Sequence, residues 1–294
     1  MTWRVVLPDC GGNSFYDRTR CWSVLYLSSV KGFPALLLAA LGLPLAAQWN
    51  YPTASVPRTS NGKPNLTAPG PRLPDGKPDF SGTWDVEHNK PCPAGGCVDF
   101  FSPQEFGNIG WSLKDGLPYQ PWARALAETR TKNLRKDDPL SHCLPIGIVE
   151  LQTIPMHRKI IHVRGLLEII HEYNASYRQI FTDGRPMPDD PQPSWNGYST
   201  ATWDGDTLVV QTTGFRDGIW LDTHGNPITD AARVTERIRR VNYGHLEIEL
   251  TVDDPKAYTK AWTITLTQNL QLDTDLIDYV CLENEKDLAH FVVK

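Results

Sequence analysis

The sequence predicts a mainly β fold, an antiparallel up-and-down β-barrel with one helix on its N-terminal side and long loops. About eight to ten strand-like runs follow one another over roughly 130 residues. Short turns rich in Gly, Asn and Asp separate several of these runs. Consecutive hairpins of this kind favour a barrel, and a β-sandwich is the alternative.

The first 47 residues have the pattern of a secretory leader. Lys31 precedes an apolar run over 33–47, which ends in the small residues Ala46 and Ala47. This order predicts a signal peptide that is cleaved near Ala47-Gln48, whereas a buried N-terminal helix is the alternative. The run is short and contains Pro and Gly, so we expect no stable membrane insertion after cleavage. The predicted location is therefore periplasmic or secreted.

Residues 48–80 form the next predicted segment, a linker or strap that contains seven prolines. Proline-rich chain buries little surface and stays extended. Residues 81–294 are then expected to form a single barrel domain. We expect no internal repeat in the chain.

One helix is predicted, over Pro121–Lys136. Proline suits the first turn of a helix, and cations near the C-terminal end interact favourably with the helix dipole. The strands are predicted where β-branched and aromatic residues alternate between turn signals. These strands are Lys159–Arg164, Leu166–Tyr173, Tyr177–Thr182, Tyr198–Trp203, Thr207–Thr213, Arg233–Val241, His245–Val252, Trp262–Leu266 and Leu276–Cys281.

Four cysteines follow the leader. An even number in an exported chain favours disulfides. Cys92 and Cys97 enclose a flexible loop, and Cys143 and Cys281 would then join the two ends of the domain. A Cys/His metal site that includes His142 is the alternative, although the chain lacks paired Cys-x-x-Cys spacings.

The charge balance argues against polyanionic partners. The chain carries 29 Lys and Arg against 34 Asp and Glu, a net charge of −5, and no basic run stands out. We therefore expect neither nucleic acid nor an anionic membrane surface as a partner. The chain also lacks the glycine-rich loops and metal or nucleophile motifs that specify a cofactor or a known chemistry. We expect no cofactor and no metal.

The strand Arg233–Val241 supplies the main candidate acid or base. Alternation places Val234, Glu236 and Ile238 on one face, so Glu236 lies inside if that face is the core. Burial raises the pKa of a carboxyl group and suits it to proton transfer. The alternative is a structural ion pair with a buried arginine. Arg237, the next residue, is a candidate for binding an anion.

Two further candidates come from the hairpin around 174–176. Glu172 ends one strand and Arg178 begins the next, so the two side chains are expected to lie opposite each other. Such a pair could bind a substrate, or it could serve only to stabilise the sheet. Arg185 follows the turn Asp183-Gly184 and is a candidate for binding an anion at the barrel mouth, unless it merely stabilises that turn.

A loop histidine and three tryptophans complete the candidate set. His224 lies in a loop close to Trp220 and is a candidate acid or base, although most loop histidines are simply surface residues. Trp195, Trp203 and Trp220 belong to one stretch of the chain and are expected to rim the barrel mouth. Packing in the core is the equally weighted alternative.

Several short motifs stand out along the second half of the chain: Glu172-Tyr173-Asn174-Ala175-Ser176-Tyr177-Arg178, Asp183-Gly184-Arg185, Trp195-Asn196-Gly197, Trp203-Asp204-Gly205-Asp206, Thr235-Glu236-Arg237, Asp254-Pro255 and Tyr279-Val280-Cys281. Together they resemble those of a large family of uncharacterised, exported, lipocalin-like bacterial proteins that are common in soil bacteria. The resemblance covers about 78–294. It implies export and a lipocalin- or calycin-like barrel, and it supplies no catalytic residues. The chain departs from the family at Ala261, usually Pro, and at Leu282, often His.

Three functions fit these patterns. The first is binding of a small apolar or aromatic molecule by the barrel. The second is a cofactor-independent hydrolase, isomerase or lyase that uses Glu236, Glu172 or His224 for acid–base chemistry. The third is an interaction module of the cell envelope, which would show a filled barrel and an exposed apolar patch. We favour the first, because no residue pattern requires chemistry.

Overall fold

The computed structural model describes residues 6–7, 23–24, 55–87, 104–283 and 286. The chain divides into two compact units, 1–50 and 51–294. In the first unit, β1 (Val6–Leu7) pairs antiparallel with β2 (Ser23–Val24). The rest of the predicted leader, together with Cys92 and Cys97, lies outside the described residues.

The second unit is a closed β-barrel, which confirms the predicted fold class. Around the barrel the strands follow chain order, and β11 closes it by pairing with β3. The nine strands are β3 (Gly82–Val86), β4 (Arg158–Val163), β5 (Leu166–His171), β6 (Tyr177–Phe181), β7 (Tyr198–Asp204), β8 (Thr207–Thr213), β9 (Arg233–Asn242), β10 (His245–Asp253) and β11 (Trp262–Gln271).

One strand pair departs from the up-and-down pattern. Strands that alternate in direction cannot close a ring of nine, because an odd number leaves two neighbours pointing the same way. These neighbours are β6 and β7, which run parallel and pair only at Ile180–Ser199 and Phe181–Thr200. The connection 182–197 therefore runs the length of the barrel. We call the boundary between β6 and β7 the seam.

The sequence places one strand wrongly. Leu276–Cys281 is not a strand, and Gly82–Val86 takes its place in the barrel between β11 and β4. Trp84 and Val86 point into the core and are almost completely buried, whereas Ile277 is 73% exposed. Burial of two large apolar side chains explains why the shorter segment, rather than 276–281, completes the sheet.

The two ends of the barrel differ. The turn end carries the tight turns around Gly165, 205–206 and 243–244. The helix end carries the loops 172–176, 214–232 and 254–261, together with residues 104–157 of the segment between β3 and β4. The described part of that segment holds α1 (Gln104–Gly107), α2 (Pro121–Lys132), a 3₁₀ turn (Leu140–His142) and α3 (Ile148–Thr153). None of the helices in the described ranges is long and apolar enough to cross a membrane.

Residues 55–80 contain a repeat, so the expectation of no internal repeat is wrong. The stretches 57–66 and 71–80 both follow the pattern Pro-Arg-x-x-x-Gly-Lys-Pro-(Asn/Asp)-(Leu/Phe). Arg58 bonds the carbonyl of Gly62, and Arg72 bonds that of Gly76, at 2.8 Å in each case. The first hairpin packs on the β9–β10 turn and the second on the β7–β8 turn.

Cys143 and Cys281 form the predicted disulfide, with their Cα atoms 5.3 Å apart. Cys143 follows the 3₁₀ turn at the helix end, and Cys281 lies beyond the last strand. The bond therefore fixes the C-terminal segment to the helix end. Within the described ranges, no group of three or more His, Cys, Asp and Glu side chains is arranged to hold a metal.

The disulfide generates a stability prediction. It closes a loop of 138 residues, and cross-links of that span remove about 4 to 5 kcal/mol of chain entropy from the unfolded state. We expect the double variant Cys143→Ser/Cys281→Ser to unfold in urea with a free energy about 2 to 5 kcal/mol below that of the wild type. An unchanged unfolding midpoint under non-reducing conditions would contradict this role.

Candidate functional site

The interior of the barrel is largely apolar, apart from His162 near the turn end and a larger set of polar side chains at the helix end. There, inward positions that hold Leu, Ile or Val elsewhere carry hydrogen-bonding side chains, which α3 covers. We call this set the inner polar cluster. Its members are Gln152 of α3, Arg158, His171, Arg178, Ser199, Thr212, Glu236 and Gln268, and each is at most a few per cent exposed.

An ion pair lies at the centre of the cluster. Arg178 of β6 donates to both carboxylate oxygens of Glu236 of β9, at 3.1 and 2.5 Å. The same guanidinium also donates to Ser199 and Thr212. The sequence therefore placed Glu236 correctly inside the barrel. The geometry is that of a buried structural ion pair, which is the alternative role that the sequence allows for this residue.

Gln152 connects this pair to a second arginine. Its side-chain amide donates to Glu236 Oε1 at 2.9 Å. Its side-chain and backbone oxygens each accept a hydrogen bond from Arg158 Nη1, also at 2.9 Å. Burial lowers the pKa of Arg158 to about 10, and Asp85 partly opposes that change. Arg158 therefore stays charged at neutral pH.

His171 lies between the two arginines. It stands opposite Arg158 in the β4–β5 register, and both side chains point inward. Burial, followed by repulsion from Arg158 and Arg178, lowers the pKa of His171 well below its ordinary value. The ring is therefore neutral at pH 7. Among the described residues, three atoms in this region are buried without a hydrogen-bond partner: His171 Nδ1, Arg158 Nε and Gln268 Oε1.

Glu150 also lies on α3 and is completely buried. Neither of its carboxyl oxygens has a hydrogen-bond partner in the part of the chain that the structure describes. Burial, and then the charges of Asp138 and Asp222, raise its pKa well above the ordinary value. Burial therefore favours the protonated, neutral form of this side chain, which is far less costly to bury than a carboxylate.

A groove runs along the outside of the seam. Its volume is about 540 Å³, and four aromatic side chains line it: Tyr177, Phe181, Trp195 and Tyr198. Arg178 and Ser199 of the inner polar cluster also line the groove. Asn196 holds the two walls together, because its amide donates to the carbonyl oxygen of Tyr177 at 2.9 Å. We call this feature the seam groove.

Two of the predicted acid–base candidates lie outside the cluster. Glu172 does not face Arg178. Its carboxylate accepts from the backbone amides of His157 and Ile277, at 3.2 and 3.0 Å. It thereby ties the C-terminal segment to the sheet. His224 is half-buried in the loop 214–232, and its carbonyl accepts a bond from Thr131 of α2.

The three tryptophans do not rim one mouth, so that prediction is wrong. Trp195 lines the seam groove, with Arg216 stacked 4.6 Å from its ring. Trp220 is buried at the helix end beneath Arg130. Trp203 lies at the turn end, stacked on Phe80. The separation arises because β7 runs from the helix end to the turn end.

The two remaining arginine candidates lie on the outer surface. Arg237 alternates with Glu236 and therefore points outward, where it pairs with Asp204 at 2.9 Å and is 41% exposed. It cannot serve a site inside the barrel. Arg185 pairs with Asp183 at 2.6 Å, and its guanidinium stacks 3.8 Å from the centroid of the Phe181 ring, at the edge of the seam groove.

Sequence patterns missed several members of the cluster. Gln152 was missed because α3 was not predicted. Arg158 was missed because its strand was predicted to begin one residue later, at Lys159. No protein-family model matches the chain, and no curated protein has a significantly similar sequence. The case for a function therefore rests on the geometry of the cluster and the groove.

The ion pair generates the second prediction. Glu236→Gln leaves the Arg178 charge buried without a counter-charge, and we expect the free energy of unfolding to fall by about 3 to 5 kcal/mol. Glu249→Gln, an exposed change on neighbouring β10, should stay within about 0.5 kcal/mol of the wild type. Urea titration followed by circular dichroism measures both. Equal midpoints for the two variants would refute the structural role of the pair.

The third prediction concerns pH. The pKa of His171 is lower in the folded state than in the unfolded state. The stability that the neutral ring provides is therefore complete above about pH 6.5 and is lost as the pH falls below that value. Between pH 7 and pH 5 this single group should remove up to about 2 kcal/mol, the limit for a ring that stays neutral in the folded state. His171→Gln should reduce the acid-side loss by that amount in urea titrations. Parallel pH profiles for the two proteins would contradict the assignment.

Proposed function

We propose that the protein binds a small apolar or aromatic molecule in the seam groove. The observation that carries the proposal is the concentration of four aromatic side chains in one groove of about 540 Å³. Ligand sites for small molecules have this size and are lined mainly by apolar and aromatic groups, with few polar ones. Tyr177 is 63% exposed, so a large part of its side chain can contact a ligand.

The groove is a better site than the lumen, because side chains fill the barrel. Around the middle of the barrel, Leu167, Leu208, Ile238 and Leu266 point inward and are at most 2% exposed. The seam, unlike the lumen, leaves space that a ligand can occupy. Its two strands share only two residue pairs, so their outer faces diverge toward the helix end and leave a concave surface.

The polar floor of the groove favours an uncharged ligand. Arg178 is already neutralised by Glu236, and its remaining donors bind Ser199 and Thr212. An anionic ligand would have to displace a buried partner, whereas an apolar or aromatic molecule only has to cover the rings. Burial of an aromatic side chain against a ligand ring contributes about 0.5 to 1.5 kcal/mol beyond the area term.

The acid–base alternative has weaker support. Both oxygens of Glu236 accept hydrogen bonds from Arg178, and one of them also accepts from Gln152. A general base needs a free lone pair that faces the substrate. Glu172 and His224 lie apart from the groove, so a carboxylate and a histidine do not converge there.

We also propose that the protein acts outside the cytoplasm. The leader pattern predicts export, and the Cys143–Cys281 bond is of the kind that persists in oxidising compartments.

The fourth prediction tests ligand binding. The uncharged aromatic dye N-phenylnaphthylamine should bind the purified protein saturably, with one dye per chain. Tyr177→Ala removes an exposed ring from the groove and should weaken binding about fivefold, which corresponds to about 1 kcal/mol. Fluorescence titration measures the dissociation constant.

The matched control is Ile161→Ala. Ile161 is also exposed, at 41%, but it lies on the outer face of β4 away from the groove. This variant should bind the dye as the wild type does. Equal affinities in all three proteins, or no saturable binding by the wild type, would refute the proposed site.

A further inference from the structure

A second cavity lies at the turn end, opposite the helix end that borders the seam groove. Its volume is about 530 Å³. The second hairpin of the repeat forms one wall, with Asp75 and Lys77. The other wall comes from His162, Arg164, Asp183 and Trp203 at the ends of different strands or turns. Residues distant in sequence therefore converge on one space, which we call the turn-end pocket.

The aromatic wall of this pocket is held rigidly. The rings of Phe80, His162 and Trp203 lie 5.5 to 6.0 Å apart and are nearly parallel. Phe80 is fully buried and His162 is 6% exposed, so both are fixed by the core. Trp203 is only half-buried. The stack therefore presents a flat indole ring to the pocket at little cost in side-chain entropy.

His162 keeps this stack uncharged. Its Nδ1 lies 3.4 Å from the backbone amide of Phe80 and accepts that hydrogen bond. Burial lowers the pKa of the ring, although Asp79 and Asp75 partly oppose the change. A neutral imidazole packs against an aromatic ring without the cost of burying a charge.

The pocket is lined by equal numbers of positively and negatively charged side chains. Lys77 and Arg164 supply two cations, and Asp75 and Asp183 supply two carboxylates. Lys77 extends over the Trp203 ring, with its Nζ 5.3 Å from the ring centroid, and donates to the carbonyl of Gly205 at 3.2 Å. The pocket thus offers strong donors and strong acceptors around the Trp203 ring, without an excess of either charge, and a ligand ring would take the place of the Lys77 side chain on the indole.

We propose that the turn-end pocket binds a neutral sugar ring. A pyranose has an apolar face of C–H groups, which fits a flat indole. Its hydroxyl groups both donate and accept hydrogen bonds, so they satisfy carboxylates and cations together. An anion would meet two carboxylates, and a purely apolar ligand would desolvate the charged groups without offering them hydrogen bonds. This site is separate from the seam groove, and its occupancy does not depend on the proposed function.

The anchoring of the hairpin supports a preformed site. Arg72 forms two hydrogen bonds with the carboxylate of Asp206 in the β7–β8 turn, at 2.9 and 2.6 Å. The backbone amide of Lys77 donates to the side chain of Asp75 at 3.0 Å, which fixes the turn between them. Both contacts hold Asp75 and Lys77 facing the barrel, so a ligand would bind without ordering a loop first.

The experiment is a ligand-observed NMR titration of the purified protein with glucose, galactose, mannose and N-acetylglucosamine. At least one of these sugars should bind saturably. Asp75→Asn and Trp203→Leu should each weaken that binding about fivefold or more, a loss of about 1 kcal/mol. Asp75 is exposed, and Asn can still accept the Lys77 amide bond, so this variant keeps the test valid if Trp203→Leu destabilises the core.

The control separates the two sites. Tyr177→Ala, which alters only the seam groove, should leave sugar binding unchanged, and Asp75→Asn should leave dye binding unchanged. Failure of the dye to bind would therefore contradict only the proposed site in the seam groove and not the one in the turn-end pocket. Absence of saturable binding by all four sugars, or equal sugar affinity in wild type and Asp75→Asn, would overturn the proposal.

Discussion

The buried ion pair between Arg178 and Glu236 is the constraint on which the helix end depends. Two charges inside a barrel are costly unless every hydrogen-bonding group finds a partner. Here the partners come from β6, β7, β8 and β9 and from α3. A slip of one residue in β9 would turn Glu236 to solvent and bring Arg237 inside. The pair therefore specifies the register of the strands beside the seam.

The same pair explains why α3 closes the barrel. A helix of six residues has little stability by itself. Gln152 bonds Glu236 and Arg158 at once, and all six residues of α3 are buried. The helix is thus held in place by polar contacts with the inner polar cluster and by the apolar side chains that surround it. Removal of Glu236 would leave two arginines with the single amide side chain of Gln152 between them.

The sequence predicted those features that depend on local patterns. Strict alternation in β9 identified Glu236 as an inward residue, because Val234 and Ile238 flank it. It could not identify Arg178 as the partner, since β6 and β9 are not neighbours and the contact crosses the lumen. The neighbouring strands suggested Glu172 instead. Likewise, β3 follows a proline-rich strap and has only five residues, too few for a clear period.

The seam groove follows from the number of strands. With β3 included the ring has nine members, so one pair must be parallel, and a parallel pair needs a long connection. The connection 182–197 brings Trp195 and Asn196 back to the helix end beside Tyr177. The seam groove is therefore a consequence of closing this barrel with an odd number of strands.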